Sequence, residues 1–232
     1  MVMALTLYDL AGADANRRFS PYCWRIRLAI AHKELPVETI PWRFTDKEVI
    51  AFSGQGRVPV LVDAGKALAG SWTIANHLEQ SYRDSRSLFG GPVGVALVRF
   101  VESWTDAILL PSLVPLILVD VFERLHEKDR AYFRSSRERL LGTTLEAACA
   151  DRDKKVINFR HSIEPLRATF KIESFLGGEA PNYADYIVFG GFMWARSTSP
   201  FKLLENDDPV ALWRDRLLDR FEFARMAPGY DT

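Results

Sequence analysis

Ser20-Pro21-Tyr22-Cys23-Trp24-Arg25-Ile26-Arg27-Leu28-Ala29-Ile30-Ala31-His32-Lys33 is the stretch on which the reading of the fold turns. A serine followed by proline marks a helix start. The serine oxygen accepts a hydrogen bond from an otherwise orphaned backbone N–H, and proline at the first helical position gives up a donor that has no partner anyway. Trp24, Leu28 and Ala31 then fall near one face, while Arg25 and Arg27 point elsewhere. Upstream, Leu5 to Leu10 alternates as a strand does, and a longish loop, Ala11 to Phe19, joins it to the helix. Downstream, Val37 to Pro41 reads as a second strand. Thr45 to Phe52 reads as a short helix with Thr45 as N-cap and Glu48 completing a capping box, stopped by Ser53-Gly54-Gln55-Gly56. Val58-Pro59-Val60-Leu61-Val62, the turn Asp63-Ala64-Gly65-Lys66 and Ala67-Leu68-Ala69 form a hairpin. Ser71 caps a further helix with Ile74, Leu78 and Tyr82 on one face.

The order strand, helix, strand, helix, hairpin, helix implies a parallel pair joined by a right-handed crossover, with antiparallel strands added by the hairpin. Residues 1–83 are therefore expected to form a mixed α/β domain on a four-stranded sheet. Residues 84–92, polar and rich in turn formers, read as a linker. From 93 to 232 helical periodicity takes over, with helices expected at Val93–Glu127, Tyr132–Ala150, Ile157–Phe175, Tyr183–Ala195 and Val210–Phe223. The class is α/β plus all-α, without internal repeats.

Bulk composition narrows the function. The 232 residues are 48% hydrophobic and 26% charged, which supports a packed core. Thirty basic residues balance thirty acidic ones, so no global field attracts nucleic acid or an anionic membrane. Two cysteines, Cys23 and Cys149, do not make a disulfide framework and point to a reducing compartment. The first residues lack the pattern of a signal peptide. Ile108 to Phe122 is the most apolar run, and Pro111, Pro115 and Asp120 are expected to interrupt it too often for a membrane span. These readings give a cytoplasmic protein with no membrane or nucleic-acid partner. The four histidines have no metal-ligand spacing, and no metal is expected.

Three local features carry chemistry. A helix start at Ser20 presents unpaired N–H groups and partial positive charge, which stabilise a thiolate, and the serine hydroxyl adds a donor. Lowering a thiol's pKa raises the nucleophilic fraction at neutral pH. Pro59, at the entry to a strand, has no N–H to give. With a cis bond before it, the Val58 backbone turns outward to pair with an extended peptide. Ser71, at another helix start, suits a carboxylate. Each feature alone is more often structural, and their order on one α/β frame is what gives them weight.

The segments 20–33, Gly-Arg-Val-Pro-Val-Leu-Val-Asp (56–63), Gly-Ser-Trp-Thr-Ile-Ala-Asn-His-Leu-Glu (70–79) and Phe-Leu-Gly-Gly-Glu-Ala-Pro-Asn-Tyr-Ala-Asp-Tyr (175–186) together resemble the glutathione transferase superfamily over nearly the whole chain. In the last segment Asn182 and Asp185 form a capping-box variant, which serves folding. The long loop before Ser20, the Ser-Pro-Tyr segment and the run after Val37 are most like the bacterial β-aryl etherases and their fungal etherase-like relatives. The resemblance implies a thioredoxin-like first domain that binds glutathione as co-substrate, an all-helical second domain, and a homodimer. It implies Ser20 as the catalytic, thiolate-stabilising residue. Val58 before a cis Pro59 anchors the cysteinyl backbone, and Ser71 takes the γ-glutamyl carboxylate, with Tyr22 and Trp72 flanking. For the glycyl end Arg43, Lys47, Gln55 and Arg57 are all candidates. One departure stands out: where the family has an acidic residue or glutamine before that serine, this chain has Gly70.

Phe19, Trp42, Phe100, Trp104 and Trp194 are candidates to line an apolar pocket for a hydrophobic electrophile, set against plain core packing. Trp24, Trp72 and Trp213 lie at core spacing. Ser20-Pro21-Tyr22-Cys23 also resembles the Cys-Pro-Tyr-Cys of glutaredoxins, but with the first cysteine replaced it lacks the exposed nucleophile, and Cys23 reads as a small buried residue. Two other functions stay open: a maleylacetoacetate-isomerase-like enzyme, which the Trp24-to-Lys33 run also resembles, and a ligand carrier without catalysis.

Overall fold

A computed structural model describes residues 5–230. β1 (Leu5–Leu10) runs parallel to β2 (Val37–Trp42) and antiparallel to β3 (Val60–Asp63), which pairs with β4 (Lys66–Ala69), giving the order β2-β1-β3-β4. The parallel pair is joined through α1 (Pro21–His32), and α2 (Ser71–Ser81) follows the hairpin. The hairpin turn is set by Ala64 (φ 48°) and Gly65 (φ 80°), two successive left-handed residues that match the twist of the flanking strands. A mixed four-stranded sheet followed by an all-helical domain is the architecture expected from the sequence.

The element between β2 and β3 differs from expectation. It is a 3-10 helix, Lys47–Ser53, that starts from Asp46 with no side-chain cap. Thr45 is diverted: its hydroxyl donates to Asp129 Oδ1 at 2.7 Å and its N–H at 3.0 Å, and Phe44 N–H donates to Oδ2. Asp129 is fully buried in α5 (Glu127–Leu141), and a buried carboxylate collects nearby donors more strongly than a local cap would.

In the second domain α3 (Pro92–Trp104), a π-helical turn (Thr105–Leu109) and α4 (Leu110–Glu123) form one continuous helical rod. The expected helix Val93–Glu127 is present as this rod, with Pro111 and Pro115 inside it, and the wider π-helical turn lies just before Pro111, which has no N–H to give. The rod is long and apolar enough to cross a membrane by length and composition, with mean hydropathy 1.9 in its most apolar stretch, half of which is buried in the protein. The expected helix 132–150 splits at Gly142 (φ 69°) into α5 and α6 (Leu145–Ala148). The expected helix 157–175 starts earlier as α7 (Arg152–Ser162). It breaks at Ile163 (φ −97°, ψ 9°) and resumes as α8 (Glu164–Phe170), with Pro165 in the first turn, where a missing N–H costs no helix bond. α9 (Tyr183–Thr198), α10 (Pro209–Arg220) and α11 (Glu222–Arg225) complete the chain. The Asn182–Asp185 capping box is formed, and Asp185 also accepts from Leu176 N, Gly177 N and Trp213 Nε1, so one carboxylate ties three segments together.

α1 lies between the domains. Trp24 is fully buried and stacks on Phe223 of the C-terminal segment at 6.1 Å, and another side of the helix lies against α9, where Gly190 has no side chain because a Cβ would stand 2.4 Å from the Pro21 carbonyl oxygen. Arg25 points away from the Trp24–Leu28–Ala31 face, as read, and into a second buried layer. It is fully buried, with Nη2 at 2.6 Å from Asp106 and Nη1 at 3.7 Å from Glu102. A helix sandwiched between two layers has two buried faces, and the second is invisible when only the apolar one is counted.

Candidate functional site

The helix start at Ser20 forms as read. Ser20 is the N-cap of α1, extended at φ −66° and ψ 124°, and its Oγ accepts from Cys23 N–H at 3.3 Å. Among the described residues no nitrogen or oxygen acceptor takes the serine O–H, which leaves it able to donate to an anion. Cys23 is a different kind of group. It is fully buried, burial pushes its thiol well up, and Asp9 beside it adds to the shift. It is a protonated thiol packed under the helix, as the small-residue reading had it.

A cavity of about 300 Å³ lies against the first turn of α1, which contributes Tyr22 to its lining. Gln55, Arg57, Val58 and Pro59 form one wall, and Gly70, Ser71, Trp72 and Thr73 form the other; Tyr22 and Glu102 close it. Seven of the eight glutathione-binding candidates thus line one space; the eighth, Ser20, is buried at 4% exposure and is not among the lining residues. The Val58–Pro59 bond is cis. The Val58 N–H and C=O have no partner among the described residues, since β3 starts only at Val60, so they remain available to an extended ligand backbone. Of the four candidates for the glycyl end, Gln55 and Arg57 reach the cavity. Arg43 instead donates to the Gly12 and Ala13 carbonyls, and the Lys47 ammonium donates to Gly56 O at 2.6 Å.

Ser71 is not the cap of α2 but its first helical residue, and Gly70 takes the cap position at φ 86° and ψ 136° without a side-chain bond. The N–H groups of the first turn are therefore uncapped and face the cavity, a natural seat for a carboxylate. A backbone at that φ strains any residue with a Cβ. Gly70→Ala is accordingly expected to lower unfolding free energy by about 1–2 kcal/mol, read from denaturant titration, although open space surrounds the position.

The aromatic candidates are not brought together. Phe19 and Trp42 are almost fully buried, Phe19 against Phe44 at 6.2 Å and Trp42 with its Nε1–H donating to Asp46 O. Phe100 is 71% exposed on the outer face of α3, and Trp104 and Trp194 are half-buried. None of the five lines this cavity. Trp72 does, and it carries the Arg99 guanidinium flat on its ring at 3.6 Å. Glu102 was missed by sequence reasoning. Its signal was a lone carboxylate in the otherwise apolar run Val93–Trp104, three residues after Arg99, to which it is bonded at 2.5 Å. Burial raises the Glu102 pKa, partly offset by Arg25 and Arg99. No cluster of metal-ligating side chains occurs among the described residues.

Residues 16–86 match the family described as Glutathione S-transferase, N-terminal domain, and residues 96–221, more than half the chain, match Glutathione S-transferase, C-terminal domain. The chain belongs to the glutathione S-transferase family. Solved members share its fold throughout. A glutathione S-transferase of Ceriporiopsis subvermispora in complex with glutathione superposes with a TM-score of 0.85 at 22% identity, covering 99% of this chain and 100% of that one. Glutathione transferase GSTFuA3 from Phanerochaete chrysosporium gives 0.82 at 20% identity over 97% and 98%. A second Ceriporiopsis subvermispora glutathione S-transferase, also in complex with glutathione, gives 0.80 at 21% identity over 96% and 99%. In this glutathione S-transferase fold the cavity lies between the cis-proline loop, the start of α2 and the inter-domain helix α3.

Proposed function

We propose that the protein binds glutathione in this cavity, holds it as a thiolate at the start of α1, and directs the sulfur at an apolar, aromatic electrophile. The observation that carries the reading is the convergence of the unpartnered Val58 backbone, the uncapped start of α2 with Ser71, and the first turn of α1 through Tyr22 around one space of about 300 Å³. The Val58 amide and carbonyl pair with the cysteinyl backbone in strand fashion. Ser71 and the α2 N–H groups receive the γ-glutamyl carboxylate, and Arg57 with Gln55 receives the glycyl carboxylate. Those contacts direct the sulfur toward Ser20, whose hydroxyl and helix start favour the ionised form.

The thiol proton leaves to solvent, and the sulfur lone pair forms a C–S bond. With an aryl halide the halide leaves from the same carbon; with an aryl ether the C–O bond breaks and a phenolate departs. The etherase-like subclass rests on the resemblance of the Ser-Pro-Tyr segment and its preceding loop. We read the protein as a homodimer of the cytoplasm. The exposed stripe Val93, Leu97 and Phe100 on α3 supports association, and two buried free cysteines suit a reducing compartment.

Titrating glutathione while following thiolate absorbance as pH falls below neutral tests the core of the reading. Saturable binding with thiolate persisting there is the expected result, and turnover of aryl ethers and aryl halides would then follow. Absence of binding, or a bound thiol that never ionises, overturns it in favour of a carrier.

A further inference from the structure

An aromatic cluster joins the two domains on the side of the cavity that carries Arg57. Phe44, from the segment after β2, meets Phe19 at 6.2 Å, and on α5 it meets Tyr132 at 6.2 Å and Phe133 at 5.6 Å. Phe19 directly precedes Ser20. The Lys47 ammonium lies over the Tyr132 ring at 5.3 Å while donating to Gly56 O, so the cluster abuts the wall that Arg57 lines. Phe133 is buried, and Tyr132, 41% exposed, forms the outer edge.

One guanidinium enters this cluster. Arg137, half-buried on α5, lies over Phe133 at 4.9 Å and Phe44 at 5.6 Å. It donates to the neighbouring Ser136 hydroxyl at 3.1 Å, and no carboxylate of the described residues pairs with it. Arg134, one turn earlier, shows the contrast: Glu138 and Glu146 both hold it. A guanidinium carries five donors in a planar fork, and most of this fork is unused. Burial lowers the Arg137 pKa, Tyr132 partly offsets this, and nearby Arg57 adds to the lowering. Two guanidinium groups, one from each domain, thus stand near each other with no described carboxylate between them. A partly desolvated cation without a counter-ion is unfavourable, and an incoming anion relieves it.

Resting on the glutathione reading above, we infer that the electrophile is an aromatic carboxylate, its ring against Phe44 and Tyr132 and its anionic group in the fork of Arg137. Arg57 stays with the glycyl end, so the two domains divide two anions between them. The carboxylate takes no part in the displacement. The C–S bond forms, the leaving group departs with the electron pair of its own bond to carbon, and the carboxylate stays on the product.

The test uses two glutathione conjugates prepared without enzyme, one from a para-chlorodinitrobenzoate and one from its methyl ester. They share the glutathione and the ring, and differ in charge at one position. Calorimetry on the full-length protein, Arg137→Met and Arg137→Lys reads the ratio of their affinities. The native protein is expected to prefer the acid about 10–100-fold, and Arg137→Met to reduce that preference to roughly a few-fold. Arg137→Lys should restore part of it, since the charge returns without the fork. Equal native affinity for the two conjugates, or an undiminished preference in Arg137→Met, overturns the assignment. So does loss of plain glutathione binding in Arg137→Met with the ratio unchanged, which would place Arg137 at the glycyl end. Native protein that binds glutathione but neither conjugate overturns it as well. The glutathione reading survives each of these results. Native protein that binds neither glutathione nor a conjugate overturns that reading and this one together. Should Arg137→Met fail to fold, the native ratio and its fall in Arg137→Lys decide.

Discussion

Ser20→Ala is expected to lose about 10²–10³-fold in kcat, the usual effect of removing one preorganised donor from a developing or standing anion. The hydroxyl has two jobs that separate cleanly. As N-cap it accepts from Cys23 N–H at 3.3 Å, a long bond, so its loss should cost only about 0.5–1 kcal/mol of stability and a few degrees in Tm. As donor it has no nitrogen or oxygen acceptor among the described residues, its side-chain neighbour being the Cys23 thiol, and on the proposed reading it donates to the glutathione sulfur. The sign follows: removing a donor to the ionised form raises the pKa of the bound thiol. The pH–rate profile of the variant should therefore shift to higher pH, with part of the lost rate recovered in alkaline solution. Steady-state kinetics across pH, with a thermal melt as control, checks both halves. Unchanged turnover at neutral pH would remove Ser20 from the mechanism.

Gly190→Ala is expected to destabilise the protein by about 3 kcal/mol, the upper end of what overpacking usually costs, and to lower Tm by roughly 6–12 °C. The added Cβ would meet the Pro21 carbonyl oxygen at 2.4 Å and its carbon at 3.3 Å, both backbone atoms on the first turn of α1. Neither can swing aside, so α1 and α9 must separate. Gly191→Ala is the matched control. Its Cβ would meet only Leu109, Leu110 and Leu113 methyl carbons at 3.2–3.5 Å, and flexible side chains can shift. Differential scanning calorimetry of the pair measures the difference; equal Tm values would mean the α1–α9 contact is looser than its geometry implies.

Much of this protein is legible in its residues, and the gaps have physical causes. The strand–helix–strand–helix–hairpin–helix order is readable because period-two and helical patterns alternate over short segments with clear stops such as Gly54 and Gly65. The cavity wall is readable because Val58-Pro59 and Ser71 are constrained by local backbone chemistry. What escapes is whatever depends on a partner distant in sequence. Thr45 looks like a cap until Asp129 is brought beside it by the second domain. Arg25 points away from the apolar face, and its burial shows only once α3 and α9 are in place. The π-helical turn Thr105–Leu109 inside the expected helix 93–127 escapes because it is a local adjustment with no strong sequence mark. Phe19 and Trp42 go to the core and Phe100 to the surface, since aromatic residues serve packing, association and ligand contact with the same surface chemistry.

α1 behaves mechanically as a strut welded to both halves. Its first turn starts from Ser20 and puts Tyr22 at the cavity, its Arg25 is clamped to the helical rod by Asp106, and its backbone presses on α9 at Gly190. A body joined in this way resists working as a pair of jaws, because swinging one domain against the other would break the buried Arg25–Asp106 pair and the close Pro21–Gly190 approach together. Variation in such a protein is then free to accumulate in the outer helices while its two halves keep one fixed relation.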